Sequence, residues 1–385
     1  MRVALVHDWL TGMRGGEKVL EVFCELYPDA DLHTLLHVKG SCSPTIERMH
    51  IKTSFIQRLP DLERSYRRFL PLFPHAIESF DFSRYDLVIS SSHCVAKGVI
   101  TPPHCTHVSY VHTPMRYVWD QFGEYFGPGR AGRLTRLAAT VAAPFLRAWD
   151  ESSSLRVDRY IANSTHVAER IRKRYRREAH VIFPPVETAR FKPVAAAQRD
   201  DFYLMVGAFA PYKRVDLAVE AFNRLGRPLK IVGSGQDEAR IRKLAGPNVE
   251  LLGSVDDAQL VHLYARCKAF IFPGEEDAGI TPLEAMASGR PVIAYGKGGV
   301  RDTVVPLEPG ATNPTGIFFA RQSVEDMIDA VRRFEAAESR FDPAALRRHA
   351  EAFDRNQFKR RIEAHLRQDH GPLGPTSWSR RPALA

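Results

Sequence analysis

No two cysteines in this chain stand in a CxxC arrangement. The five that occur, Cys24, Cys42, Cys94, Cys105 and Cys267, are odd in number and widely spaced. That leaves a zinc ribbon or a thioredoxin-type motif without support. Scattered free thiols fit a reducing compartment. Long apolar runs are also missing. The most apolar later stretch, Leu137–Leu146, is broken by Thr140 and Pro144. It falls short of the roughly 20 residues that span a bilayer. The opening MRVALVHDWL runs into His7 and Asp8 without a cleavage site, so it does not read as a signal peptide. The expectation is a cytoplasmic protein with no transmembrane helix. The Gly15-Gly16 turn after the first strand is not a full GxGxxG, so dehydrogenase chemistry gains no support. No nucleophile elbow accompanies Ser90–His93, which leaves a Ser-His-Asp triad unfounded. His7-Asp8-Trp9 lacks a third ligand at metal spacing, and no metal site is expected.

What is present is ordinary in bulk and basic in balance. Of 385 residues, 44% are hydrophobic and 26% charged, enough for a sizeable core without disulfides. The length suggests two domains. Lys and Arg number 54 against 45 Asp and Glu, a net charge of +9. Such a bias fits an anionic partner, and it also fits simple solubility charge.

Short apolar runs alternate with amphipathic helices. Arg2–Val6, Leu32–Leu36, Leu87–Ser91, His107–Val111, Arg159–Ala162 and His180–Phe183 read as strands, with a helix over Glu17–Leu26. The proline-rich stretch Pro184–Gln198 reads as a linker. The rhythm then restarts with strands at Phe202–Val206, Leu229–Val232, Val249–Leu252, Ala269–Phe272 and Val292–Ala294. The expected helices are Val215–Leu225, Asp237–Leu244, one capped by Asp256 or Asp257, and Pro282–Ser288. The expectation is an α/β protein of two Rossmann-like domains, residues 1–190 and 197–353, with parallel sheets facing across a cleft. A helix over 354–370, striped by Phe358, Ile362 and Leu366, is expected to return to the first domain. The tail 371–385 is expected to be disordered.

Three constellations carry chemistry. Gly15-Gly16-Glu17 puts small residues where a helix starts, which suits a phosphate or a plain tight turn. Lys213 and Arg214 follow a strand and open a helix. Cations there oppose the macrodipole unless an anion lies between them. The stretch PGEEDAGITPLEAMA, Pro273–Ala287, sets Glu284 among apolar neighbours. A carboxylate there is either exposed or paired with specific donors, such as sugar hydroxyls. Glu276 precedes a glycine-containing turn able to offer backbone N–H groups.

Glu276-x7-Glu284, followed by Ala-Met-Ala-Ser-Gly-Arg-Pro-Val-Ile, resembles the signature of family 4 retaining glycosyltransferases of GT-B fold. The resemblance extends through Gly15-Gly16, Val111-His112-Thr113-Pro114, Asn163-Ser164, Pro184-Pro185-Val186, Lys213, Ile231–Gly235, Leu252-Gly253 and Gly298-Gly299. It is of the bacterial mannosyltransferase kind found in surface-polysaccharide pathways. It implies that Glu284 binds the donor ribose and Glu276 the donor hexose. Backbone N–H groups at Gly279 and Ile280, with Lys213 and the Gly15-Gly16 turn, would hold the diphosphate. His112 would stand at the reacting face. Two departures from the family pattern stand out. Ala208 replaces the usual Arg after the strand-end glycine, which removes one diphosphate cation and leaves Arg214 as the candidate to bind the donor in its place. Ala278 replaces a frequent Phe, which makes room beside the donor sugar.

The implied function is transfer of a hexose, first of all mannose from GDP-mannose, to a glycan or lipid-linked acceptor. It would proceed with retention and without a metal, and no cofactor beyond the nucleotide-sugar donor is expected. A non-catalytic nucleotide-sugar or glycan-binding GT-B protein is the alternative, and epimerisation a weaker one. No nucleic-acid module is visible. At Glu63–Phe73 basic and aromatic residues interleave, which suits either peripheral contact with an anionic membrane or, in preference, a domain-surface segment with buried aromatics. The Arg170–Arg177 run reads as a solvated helix face or a second basic patch. His7-Asp8-Trp9 is expected either at the cleft mouth touching acceptor, or with Trp9 as packing.

Overall fold

The computed structural model describes residues 1–60, 62, 66–127 and 132–367. Residues 63–65 of the basic-aromatic segment and the whole tail from Gly371 lie outside the described residues.

Two parallel sheets organise the chain. The first comprises β1 (Val3–His7), β2 (Asp31–Thr34), β3 (His50–Thr53), β4 (Leu87–Ser92), β5 (Thr106–Val111), β6 (Arg159–Ala162) and β7 (Ala179–Val181). Their order is β3-β2-β1-β4-β5-β6-β7. The second comprises β8 (Tyr203–Val206), β9 (Leu229–Val232), β10 (Val249–Gly253), β11 (Phe270–Phe272), β12 (Val292–Tyr295) and β13 (Gly316–Phe319), in the order β10-β9-β8-β11-β12-β13. Every residue of β4 and β11 is buried, as helices on both sheet faces require.

Strands β3 and β13 were not expected from the sequence. The four residues of β3, HIKT, stay partly or fully exposed at a sheet edge, so no apolar run marks them. The segment Pro184–Gln198 is not a loose tether. Val186 and Phe191 are buried, and Val186 N–H donates to Phe353 O at 3.1 Å.

The helices that matter below are α1 (Gly15–Leu26), α2 (Arg133–Ser153), α3 (Thr165–Tyr175), α4 (Val215–Leu225), α5 (Asp257–Arg266), α6 (Ile280–Ala287) and α7 (Arg355–Arg367). Helix α1 buries Val19, Leu20, Val22 and Phe23 against Leu5, Ile89, Val108 and Tyr110. Helix α7 sends Phe358, Ile362 and Leu366 into the same cluster. At its start, Arg355 pairs with Glu21 at 3.1 Å, Glu25 at 2.6 Å and Glu187 at 3.0 Å.

In each sheet the strand order reverses once, beside β1 and β4 in the first and beside β8 and β11 in the second. Connections at such a point leave to opposite faces and open a crevice at the strands' carboxyl ends, the usual ligand position in doubly wound sheets. Among the described residues, no helix is long and apolar enough to cross a membrane.

Candidate active site

The register of the first sheet aligns three groups at its carboxyl edge. His7 ends β1 beside Ser91 of β4. His112 follows β5, and its N–H donates to Ser92 O at 2.8 Å. Ser91 Oγ lies 2.8 Å from His112 Nε2 and 3.1 Å from His7 Nδ1, so one hydroxyl joins both imidazoles. A Cβ placed on Gly16 would stand 3.4 Å from His7 Cε1 and 3.7 Å from His112 Nε2. The start of α1 thus lies in van der Waals reach of both rings. Burial pushes the His112 pKa well below the ordinary value, and His93, His7 and Arg116 push the same way. His112 is therefore neutral at pH 7 and able to donate or accept one hydrogen bond.

The second sheet contributes the acidic turn and the lysine. The turn after β11 carries Glu276, which bridges to Gly298, and Gly299 N–H donates to Glu276 O at 2.8 Å. Gly298 has φ +85° and its Cβ would lie 2.4 Å from Glu276 O, so this approach requires glycine. Lys213, in the loop between β8 and α4, pairs directly with the Glu276 carboxylate. Burial works to lower its pKa, but Glu276 outweighs that and holds the ammonium above its ordinary value. Helix α6 begins at Ile280 after Gly279, and no side chain caps its first turn. Such a bare helix start offers N–H groups and the positive end of its dipole to an anion.

Glu284 is buried within α6 rather than exposed on a polar face. Its carboxylate accepts from Tyr264 OH of α5 at 3.0 Å and lies 3.4 Å from Lys18 Nζ of α1. Lys18 comes from the other side of the cleft. Four further contacts cross the same gap. A Cβ on Gly15 would sit 3.1 Å from Ile280 Cδ1. Asp277 pairs with Arg170 of α3 and with Arg116 at 3.3 Å. Thr165 N–H donates to Asp302 at 2.8 Å. The structure thus brings Gly15 against Ile280 and Lys18 against Glu284, with Gly16 and His112 together on the first-domain side and Lys213 and Glu276 paired on the second.

Arg214 does not join them. Its Nε lies 3.2 Å from Asp216, which holds the guanidinium beside its own helix. Trp9 is a packing residue, with its ring 5.2 Å from Tyr66 and 4.4 Å from His93. Asp8 is fully buried and accepts from the N–H groups of His93, Cys94, Val95 and Ala96, so it organises the β4 loop rather than touching acceptor. The Arg170–Arg177 run is not simply a solvated face. Arg170 is tied to Asp120, Thr113 and Asp277, and Arg174 to Asp120 at 2.7 Å. Sequence reading missed Arg116, Lys18, Tyr264 and Ser91. The HTPMR context of Arg116 was the one available signal. Among the described residues, no group of three or more His, Cys, Asp or Glu is arranged to hold a metal ion.

Comparison with known proteins agrees with this architecture. The model of "Glycosyltransferase Family 4" matches residues 14–190, and that of "Glycosyl transferases group 1" matches residues 186–357. A GDP-mannose-dependent alpha-mannosyltransferase of Mycolicibacterium smegmatis is 31% identical over 202 residues, covering 49% of this chain and 50% of that protein. One of the same description from Mycobacterium tuberculosis is 35% identical over 143 residues, covering 37% and 36%. The chain thus spans half the length of these curated relatives, or less. Sucrose-phosphate synthase from Thermosynechococcus elongatus superposes with a TM-score of 0.71 at 18% identity, covering 96% of this chain and 99% of that one. The chain belongs to the family 4 glycosyltransferases, and its fold is GT-B.

Proposed function

We propose that this protein is a retaining mannosyltransferase. It moves mannose from GDP-mannose to a hydroxyl of a glycan or lipid-linked acceptor in bacterial polysaccharide synthesis, without a metal. The Lys213–Glu276 pair carries the reading. It lies at the reversal point of the second sheet, beside the uncapped start of α6 and facing the first domain. The names of the mannosyltransferase relatives support GDP-mannose as donor.

In this reading the diphosphate rests on Lys213, the N–H groups at Gly279 and Ile280, and the Gly15-Gly16 helix start. Glu276 receives the mannose hydroxyls, and Glu284 exchanges Lys18 for the ribose hydroxyls. As the bond from the anomeric carbon to the phosphate oxygen breaks, its electron pair stays on that oxygen. The cation and backbone dipoles stabilise the growing negative charge. The acceptor hydroxyl attacks on the same face, and its proton passes to the departing phosphate oxygen. Neutral His112 orients the reacting face through one hydrogen bond.

The acceptor reading includes an anionic membrane. Helix α2 exposes Leu134, Leu137, Val141 and Phe145 at helical spacing, flanked by exposed Arg133 and Arg136. An apolar stripe with basic flanks suits a helix lying in a lipid headgroup layer. The enzyme would then meet a lipid-linked acceptor at the inner face of the cytoplasmic membrane.

Replacing either member of the central pair tests the assignment. Glu276→Ala and Lys213→Ala are each expected to cut GDP-mannose turnover by roughly a hundredfold or more, with the fold intact by circular dichroism. Turnover near wild type in both variants would sink it.

A further inference from the structure

Arg116 comes from the first domain, four residues after His112, and reaches the second. Its guanidinium lies over the Tyr212 ring, 4.9 Å from the centroid. Lys213 Nζ is 5.6 Å from the same centroid. One aromatic ring therefore has a cation from each domain against it. The two charges act on each other, since Arg116 works to lower the Lys213 pKa, and it does the same to His112 and His93. Arg116 thus stands among the residues of the candidate site. Ala208, where a cation of the second domain is expected, supplies none. Arg214 is turned away to Asp216.

We propose that Arg116 is a ligand of the donor diphosphate, delivered across the cleft to provide the second cation that Ala208 does not. This rests on the nucleotide-sugar reading above. Arg116 and Lys213 both lie near the Tyr212 ring, paired with Asp277 and Glu276, and a diphosphate between them would accept from both cations. The planar guanidinium matches two phosphate oxygens at once. Asp277 pairs with Arg116 at 3.3 Å but does not depend on it. When Arg116 turns to the phosphate, Asp277 keeps Arg170, which is 13% exposed and fixed by Asp120 and Thr113. Arg116, at 25%, is the more accessible of the two. The diphosphate would also gain its full charge complement only with both domains in contact with it.

Calorimetric titration with GDP and GMP tests this on the full chain. Arg116→Ala is expected to weaken GDP by about tenfold or more and GMP by no more than about threefold, because a charge-assisted phosphate contact is lost. Arg116→Ala combined with Ala208→Arg is expected to recover most of the GDP affinity. Asp277→Asn removes the interdomain bridge but keeps the guanidinium, and should weaken GDP less than Arg116→Ala does. Arg116→Ala binding GDP as wild type does overturns the proposal and leaves the parent reading standing. So does an equal loss for GDP and GMP, or a loss in Asp277→Asn as large as in Arg116→Ala, since either makes Arg116 a strut. Wild-type protein that binds no nucleoside diphosphate overturns the parent reading and the proposal together.

Discussion

Buried histidines set the behaviour of this protein in acid. His107 sits in β5 with Nε2 2.8 Å from Ser90 Oγ, and burial lowers its pKa from 6.5 to about 4. His33 of β2, ringed by Phe80, Phe82 and Tyr85, is lowered to about 4 chiefly by burial as well. Both are neutral in the fold, whereas in the unfolded chain they charge near pH 6.5. The stability they confer is complete above that pH and is lost as the pH falls toward 4. A shift of this size corresponds to about 3 kcal/mol per histidine. Urea midpoints should therefore drop between pH 6.5 and 4. His107→Gln, which cannot charge there, should flatten part of that slope. A midpoint independent of pH over this range would contradict the account. At the candidate site, Lys213, Glu276 and Glu284 stand out in the sequence by their setting, and His112 is named by the family resemblance. Their partners do not stand out. Tyr264 and Lys18 meet Glu284 from 20 and 266 residues away, and no periodicity encodes such pairings.

At the level of elements, the buried central strands were readable because both faces are covered and the apolar run is continuous. Arg159–Ala162 and Leu229–Val232 begin and end as the apolar runs indicate. The edge strand β3 was not readable, since an edge needs no such run. Helix α2 misleads for another reason. Its inner face buries Ala143, Leu146 and Trp149 together with Asp150 and Ser153, which bind the buried Lys97 at 3.1 and 2.8 Å, while Leu134, Leu137, Val141 and Phe145 lie exposed. The helix thus carries apolar residues on two faces, and a single inward stripe does not describe it. Wild-type protein is expected to sediment with vesicles containing phosphatidylglycerol and not with phosphatidylcholine alone. Leu137→Glu with Val141→Glu should weaken that binding at least about tenfold, since two apolar contacts are lost and two like charges gained. Unchanged sedimentation would remove α2 from the membrane reading.

Across the whole molecule, the cleft is held by first-domain cations on second-domain carboxylates: Lys18 on Glu284, Arg116 and Arg170 on Asp277. The net charge of +9 suggests any polyanion. In the proposed reading the nucleotide-sugar donor displaces Lys18 from Glu284 and Arg116 from Asp277, while Arg170 stays on Asp277. Domain apposition and donor binding then draw on the same side chains. The most direct test is turnover on a donor panel: GDP-mannose against UDP-, ADP- and dTDP-sugars, with a lipid extract as acceptor source. The account predicts that GDP-mannose is consumed, that mannose appears in the lipid fraction, and that the new linkage keeps the α configuration of the donor. Consumption of a different donor in preference, or a β-linked product, would contradict it.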